Sequence, residues 1–182
     1  MNQGLDPPRQ RRAYFESRHG QLHVHNAIPV GGGFDELTTL ICLHGTGSTG
    51  RTFQELSQRL GRTRSIYNPD LPGCGESDGP GGAMSASAYA EAIADFLDSM
   101  RFRQVDLLGA GTGAAVAVEI AVLRPKITRK IALLGTIQPE GWRSGARLPL
   151  AKQPLLDLPE VTPQQVAQAE GKMISRLLEF LS

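Results

Sequence analysis

Cysteine is scarce in this chain, net charge is nearly absent, long apolar runs are missing, and no histidine follows His44. Cys42, inside the apolar run Leu40–Leu43, and Cys74, in a Gly/Pro loop, make no disulfide framework, so a reducing cytoplasm is the expected compartment. A formal net charge of +1 excludes the basic excess on which nucleic-acid and acidic-membrane binding depend. The local exception, Arg9, Arg11 and Arg12 with Arg18 nearby, falls in a polar, Pro-containing stretch and reads as a solvated tail. The longest apolar stretch, Gly113–Leu123, carries Glu119 and is far too short to span a bilayer. The first residues also lack the apolar core of a signal peptide. The remaining composition, 40% hydrophobic and 20% charged over 182 residues, suits one globular domain with a real core.

Residues 1–12 are expected as a flexible leader and 13–182 as a single domain. Ala13–Ser17 and Gln21–Ile28 read as a hairpin around Arg18-His19-Gly20, because apolar and polar residues alternate beyond the glycine. Thr38–Leu43 has the near-continuous apolarity of a strand buried on both faces. A glycine-rich turn, His44–Gly50, leads to a helix over Thr52–Leu60, and Arg64–Tyr67 is the next strand. Ser85 or Ser87 caps a helix running to about Met100. Val105–Leu108, Thr112–Leu123 and Lys130–Leu134 then read as strand, helix and strand. Residues 138–160 have no clear period and read as irregular. Thr162-Pro163 opens a terminal helix over 162–181. The alternation predicts an α/β fold: a mostly parallel sheet, an antiparallel hairpin at its start, and helices on both faces.

The segment Leu107-Leu108-Gly109-Ala110-Gly111-Thr112-Gly113-Ala114-Ala115 turns a hydrophobic strand sharply into an apolar helix. Its spacing is that of the G-x-S-x-G elbow, with Gly111 where the serine would stand. Gly109–Ala114 also satisfies G-x-G-x-x-G/A, a dinucleotide fingerprint, but the next strand ends in Gly135-Thr136 where a ribose-binding acid is expected. Gly45–Thr52 misses a phosphate-binding loop by carrying Arg51 in place of lysine.

Three motifs stand in order: His44-Gly45-Thr46-Gly47, Asp70-Leu71-Pro72-Gly73-Cys74-Gly75-Glu76-Ser77-Asp78, and Gly109-x-x-x-Gly113. Together they resemble the α/β-hydrolase superfamily over roughly residues 13–137. The resemblance implies the strand order 1-2-4-3-5-6 and an ester- or amide-cleaving ancestry without a cofactor. It also implies an oxyanion hole from the backbone amides of Thr46 (Gly47 is the alternative) and Thr112, with His44 shaping the loop. Such donors each contribute about 3–4 kcal/mol of transition-state stabilisation in a working hydrolase. The chain departs from the pattern at Gly111 and in the stretch from Gln138 to Ser182. That stretch is too short for a cap plus the two strand–helix units that carry the acid and the histidine. The sheet is therefore expected to stop at Lys130–Leu134, an edge open to pairing with a second copy unless the following segment covers it.

These departures favour a catalytically impaired member, with a non-catalytic small-ligand or anion-binding scaffold as the alternative and a dinucleotide binder behind it. Thr112 is expected to point away from the apex. Cys74 is the remaining thiol nucleophile, and it would need a base or a positive neighbour to ionise. His23 and His25 share a strand face at i, i+2, but the sequence shows no third metal ligand, so no metal is expected. Asp70 reads as a structural turn residue.

Overall fold

In the computed structural model, which describes residues 6–31, 37–82, 84–135, 153–158 and 172–182, the chain opens with an antiparallel hairpin. Its strands are β1 (Arg9–Ser17) and β2 (Gly20–Ile28), paired in register from Arg9↔Ile28 to Ser17↔Gly20. The strand therefore begins inside the stretch expected as a flexible leader. Arg9 to Arg12 are ordered because β2 is long enough to template them, and their side chains suit an exposed edge strand. Arg18 is not simply solvated either: it pairs with Asp95 at 2.9 Å and Glu91 at 2.7 Å.

β3 (Thr39–Leu43) follows, then a 3₁₀ turn (Gly50–Phe53) running into α1 (Gln54–Leu60). β4 (Ile66–Pro69) starts two residues later than its sequence pattern indicates. Arg64 is instead turned inward as a buried cation. Ser85 caps α2 (Ala86–Ser99), its Oγ accepting the Ala88 amide at 3.1 Å. β5 (Val105–Ala110), α3 (Thr112–Leu123) and β6 (Thr128–Leu134) complete the expected series.

Two further elements lie beyond β6. β7 (Leu155–Leu158) sits within the stretch expected to be irregular, and α4 (Lys172–Leu181) forms the described part of the terminal helix. The helix start expected at Thr162-Pro163 lies outside the described residues. β7 runs parallel to β6 from Ile131↔Leu155 to Leu134↔Leu158. The sheet thus continues one strand past Lys130–Leu134, and the edge open to a second copy is no longer β6. Four residues between prolines are too few to show a period, so periodicity alone does not mark β7.

The strand order is β1-β2-β4-β3-β5-β6-β7, parallel from β4 onward. Alternate residues of each central strand feed opposite cores. Leu107, Ile131 and Leu133 pack with Phe96, Val116 and Ile120 of α2 and α3. Leu108, Ala132 and Leu134 pack with Phe53, Leu56, Leu177 and Leu181 on the other face. β5 is buried at every residue, which accounts for its unbroken apolarity apart from Asp106.

Asp106 is fully buried, and two guanidiniums answer it. Arg129 donates to both of its carboxylate oxygens at 2.9 and 2.6 Å, and Arg64 to Oδ2 at 3.4 Å. The same cations reach the end of α4: Arg64 and Arg129 donate to the Leu181 carbonyl, at 2.7 and 3.0 Å, and Lys130 to that of Phe180 at 2.7 Å. Positive charge at a helix C-terminus meets the partial negative charge of its unpaired carbonyls. Asp106→Ala leaves Arg64 buried without a carboxylate, and the expected cost is about 3–5 kcal/mol in urea unfolding. Asp98→Ala, which removes an exposed pair with Arg124, costs less than about 1 kcal/mol. Equal costs for the two variants would contradict this account.

Candidate functional site

The chain passes from β3 out to β4 and back across to β5, so the direction of winding reverses between β3 and β5. A crevice opens there at the carboxyl ends of the strands, the usual ligand position in an open α/β sheet. Two loops flank it, His44–Gly50 after β3 and Gly111 after β5.

Gly111 holds φ 55° and ψ −121° between the last residue of β5 and the first of α3. A residue with a side chain is strained there, but a Cβ has room: its nearest neighbour is the Gly45 Cα at 3.6 Å. The elbow backbone is present without the side chain. Gly113 has a different reason to be glycine. A Cβ on it would run into the carbonyl oxygen of Leu43, because the first turn of α3 lies directly on the end of β3.

The Thr46 and Thr112 hydroxyls meet at 2.5 Å, joining the two loops across the crevice. This corrects the expectation that Thr112 turns away from the apex. The first helical turn aims its hydroxyl at the loop after β3, which only the packing of that loop could reveal. Gly47 continues the same loop with φ 72° and is exposed.

His44 is fully buried and both of its ring nitrogens are engaged. Nε2 accepts the Leu71 amide at 2.9 Å, and Nδ1 donates to the Gly45 carbonyl at 2.9 Å. Burial lowers its pKa below the usual histidine value, against the smaller upward pull of the Gly45 bond and Asp70. The ring is therefore a neutral strut between the loops after β3 and β4.

Asp70 directly follows β4 and is also buried. Its Oδ1 accepts the Gly50 amide at 2.6 Å, and its Oδ2 accepts the Glu76 amide at 3.0 Å and faces His23 Nδ1 at 2.9 Å. Burial alone would raise its pKa, but the His23 and backbone hydrogen bonds outweigh that and hold it below the carboxylate norm. The sequence reading of Asp70 as a turn residue missed its partner. His23 stands 47 positions away, and only the β2–β4 pairing brings the two together.

The profile of the alpha/beta hydrolase family matches residues 40–179. The chain belongs to the alpha/beta hydrolase family. It is 27% identical over 145 residues to the uncharacterized protein Rv2715 of Mycobacterium tuberculosis, covering 76% of this chain and 42% of that protein. It is 26% identical over 101 residues to the 2-hydroxymuconate semialdehyde hydrolase of Pseudomonas sp. strain CF600, covering 53% of this chain and 36% of that one. Among solved structures, the epoxide hydrolase CorEH superposes with a TM-score of 0.64 at 19% identity, over 71% of this chain and 43% of that one. The chain spans less than half the length of the curated relatives it matches.

Within this hydrolase fold Cys74 is half-buried against the α2–α3 core. Burial raises its thiol pKa, and Asp70 raises it further, which is opposite to what a nucleophile needs. The third metal ligand that the sequence did not show does exist: His23, His25 and Asp70 bring ligand atoms within 4.8 Å of one another. Both Asp70 oxygens are already taken by amide donors and His23. That donor set suits an anchored turn better than a divalent cation.

Two outcomes follow. Gly111→Ala fits but is strained, and costs about 1–3 kcal/mol in urea unfolding, whereas Gly113→Ala, driven into the Leu43 carbonyl, costs more than Gly111→Ala. Stability also depends on pH through groups with lowered pKa. The contribution of neutral His44 is complete above about pH 6.5 and is lost as pH falls towards its folded pKa. That of ionised Asp70 is complete above about pH 3.9 and is lost in stronger acid. The urea midpoint should fall between pH 7 and pH 5, and less steeply in His44→Asn. A flat profile over that interval would contradict the buried, neutral ring.

Proposed function

We propose that this alpha/beta hydrolase family member binds a small carbonyl-bearing or anionic molecule in the β3–β5 crevice and does not attack it. The observation that carries the reading is Gly111: the elbow apex offers bare backbone to the crevice at the position where the family's fold presents a nucleophile. The amides of Thr46, with Gly47 as the alternative, and of Thr112 serve as the donors. They belong to the backbone and so do not depend on the side chain at 111. His44 supports the loop that carries the first of them, through its bonds to Leu71 and Gly45. The family's hydrolases supply the ligand class, esters, amides and related bonds. Cys74 is a poor substitute nucleophile, because its surroundings keep the thiol protonated.

A chromogenic butyrate ester and a fluorophosphonate probe test the reading. The natural chain should show neither ester turnover above background nor a covalent adduct. Amide resonances of Thr46 and Thr112 should nevertheless shift on adding the ester. Turnover that disappears in Cys74→Ala, or an adduct on the natural chain, would overturn the non-catalytic reading. Unmoved Thr46 and Thr112 resonances would overturn the binding one.

A further inference from the structure

We propose that a second ligand site lies between the N-terminal hairpin and the turn–α1 segment, and that it takes a small phosphorylated polyol. A cavity of about 570 Å³ opens there, within the size range of small-molecule pockets. Thr46, Gly111 and Thr112 do not line it, so it stands independently of the elbow crevice.

One wall is set by strand register. Arg12, His25 and Asn68 form a single cross-strand row over β1, β2 and β4, and directly paired residues share a sheet face. The facing wall brings Arg51, Gln54 and Ser57. Among the described residues no Asp or Glu lines the cavity, and neither Arg12 nor Arg51 has an ion-pair partner. Arg18 and Arg124, elsewhere on the molecule, are both paired. Asp70, two residues beyond the lining residue Asn68, is turned to His23 and to the Gly50 and Glu76 amides.

The second observation is Asn68, only 2% exposed. Its Nδ2 donates to Ser57 Oγ at 2.8 Å, and its Oδ1 has no partner among the described residues. Turning the amide over only transfers the deficit to the nitrogen. Asn68 is a lining residue, and its Oδ1, itself out of solvent's reach, is an unmet acceptor beside the cavity.

These features define the ligand. The guanidiniums of Arg12 and Arg51, with Arg11 also in the lining, suit a dianion that can accept several charge-assisted hydrogen bonds. Asn68, Gln54 and Ser57 suit a hydroxylated skeleton and offer little to an acyl chain. His25, half-buried between them, has its pKa lowered by burial and then by His23; Asp70 pulls the other way, and Arg51 and Arg12 add smaller effects in the lowering direction. A bound dianion reverses that balance and raises its pKa.

Calorimetry at low ionic strength with sn-glycerol 3-phosphate, inorganic phosphate, glycerol and acetate provides the test. Glycerol 3-phosphate should bind at least about tenfold more tightly than phosphate, with glycerol and acetate weaker still. Arg12→Gln and Arg51→Gln should each weaken it about tenfold. Arg9→Gln, on the same strand but off the lining, should leave it unchanged. Histidine proton shifts supply a readout independent of affinity: the His25 titration should move to higher pH on binding. Equal affinity for phosphate and glycerol 3-phosphate, equal losses in Arg9→Gln and Arg12→Gln, or an unmoved His25 titration would each overturn the proposal.

Discussion

The contact between the first turn of α3 and the end of β3 is the constraint on which the rest of the molecule depends. Helix and strand approach so closely that Gly113 has the Leu43 and His44 carbonyls where its side chain would be. That approach fixes the helix N-terminus at the carboxyl ends of the strands. It brings the Gly111 apex beside Gly45, and it sets Thr112 against Thr46. Any residue larger than glycine at 113 would lift α3 off the sheet, and with it one wall of the α2–α3 core.

The two ends of the sheet are held by different chemistry. At the amino ends of the parallel strands, Asp106 gathers Arg64 and Arg129, which also seize the last carbonyls of α4. That arrangement is ionic, buried and costly to break from one side. At the carboxyl ends, beside the crevice, the loops are held by neutral His44 and by Asp70 with His23 and two amides. One stretch of chain links these loop anchors to the second cavity: β4 contributes Asn68 to its lining, and Asp70, just past the strand, holds the turn.

The strands and helices whose apolar pattern is long were legible from sequence: α3 is found over Thr112–Leu123, and β2, β3 and β5 within two residues of their patterns. Short or polar elements were not. β1 begins at Arg9 because β2 pairs with it, a long-range cause that no local propensity expresses. β7 is four residues between prolines, and its strand character comes from the edge of β6. In the site, the glycines could be placed by spacing, because a turn forces them. The Thr46–Thr112 contact, the Asp70–His23 pair and the cross-strand row Arg12–His25–Asn68 could not. Each joins residues far apart in the chain, and register decides it.

Gly111 shows how scaffold and chemistry separate in this fold. A serine at an elbow must be held at positive φ by its surroundings, a strain of about 1–3 kcal/mol. Glycine adopts φ 55° without that penalty. The geometry of the turn therefore does not need a nucleophile to maintain it. It is set from below by Gly113 on Leu43, and by the hydrogen bond from the Gly111 amide to the Leu134 carbonyl at 3.1 Å. With the side chain absent, what remains at the crevice is oriented backbone and the paired Thr46 and Thr112 hydroxyls. The shape of that crevice depends only on the packing that makes the fold, whereas nucleophilic attack from the apex needs a group that position 111 does not bring.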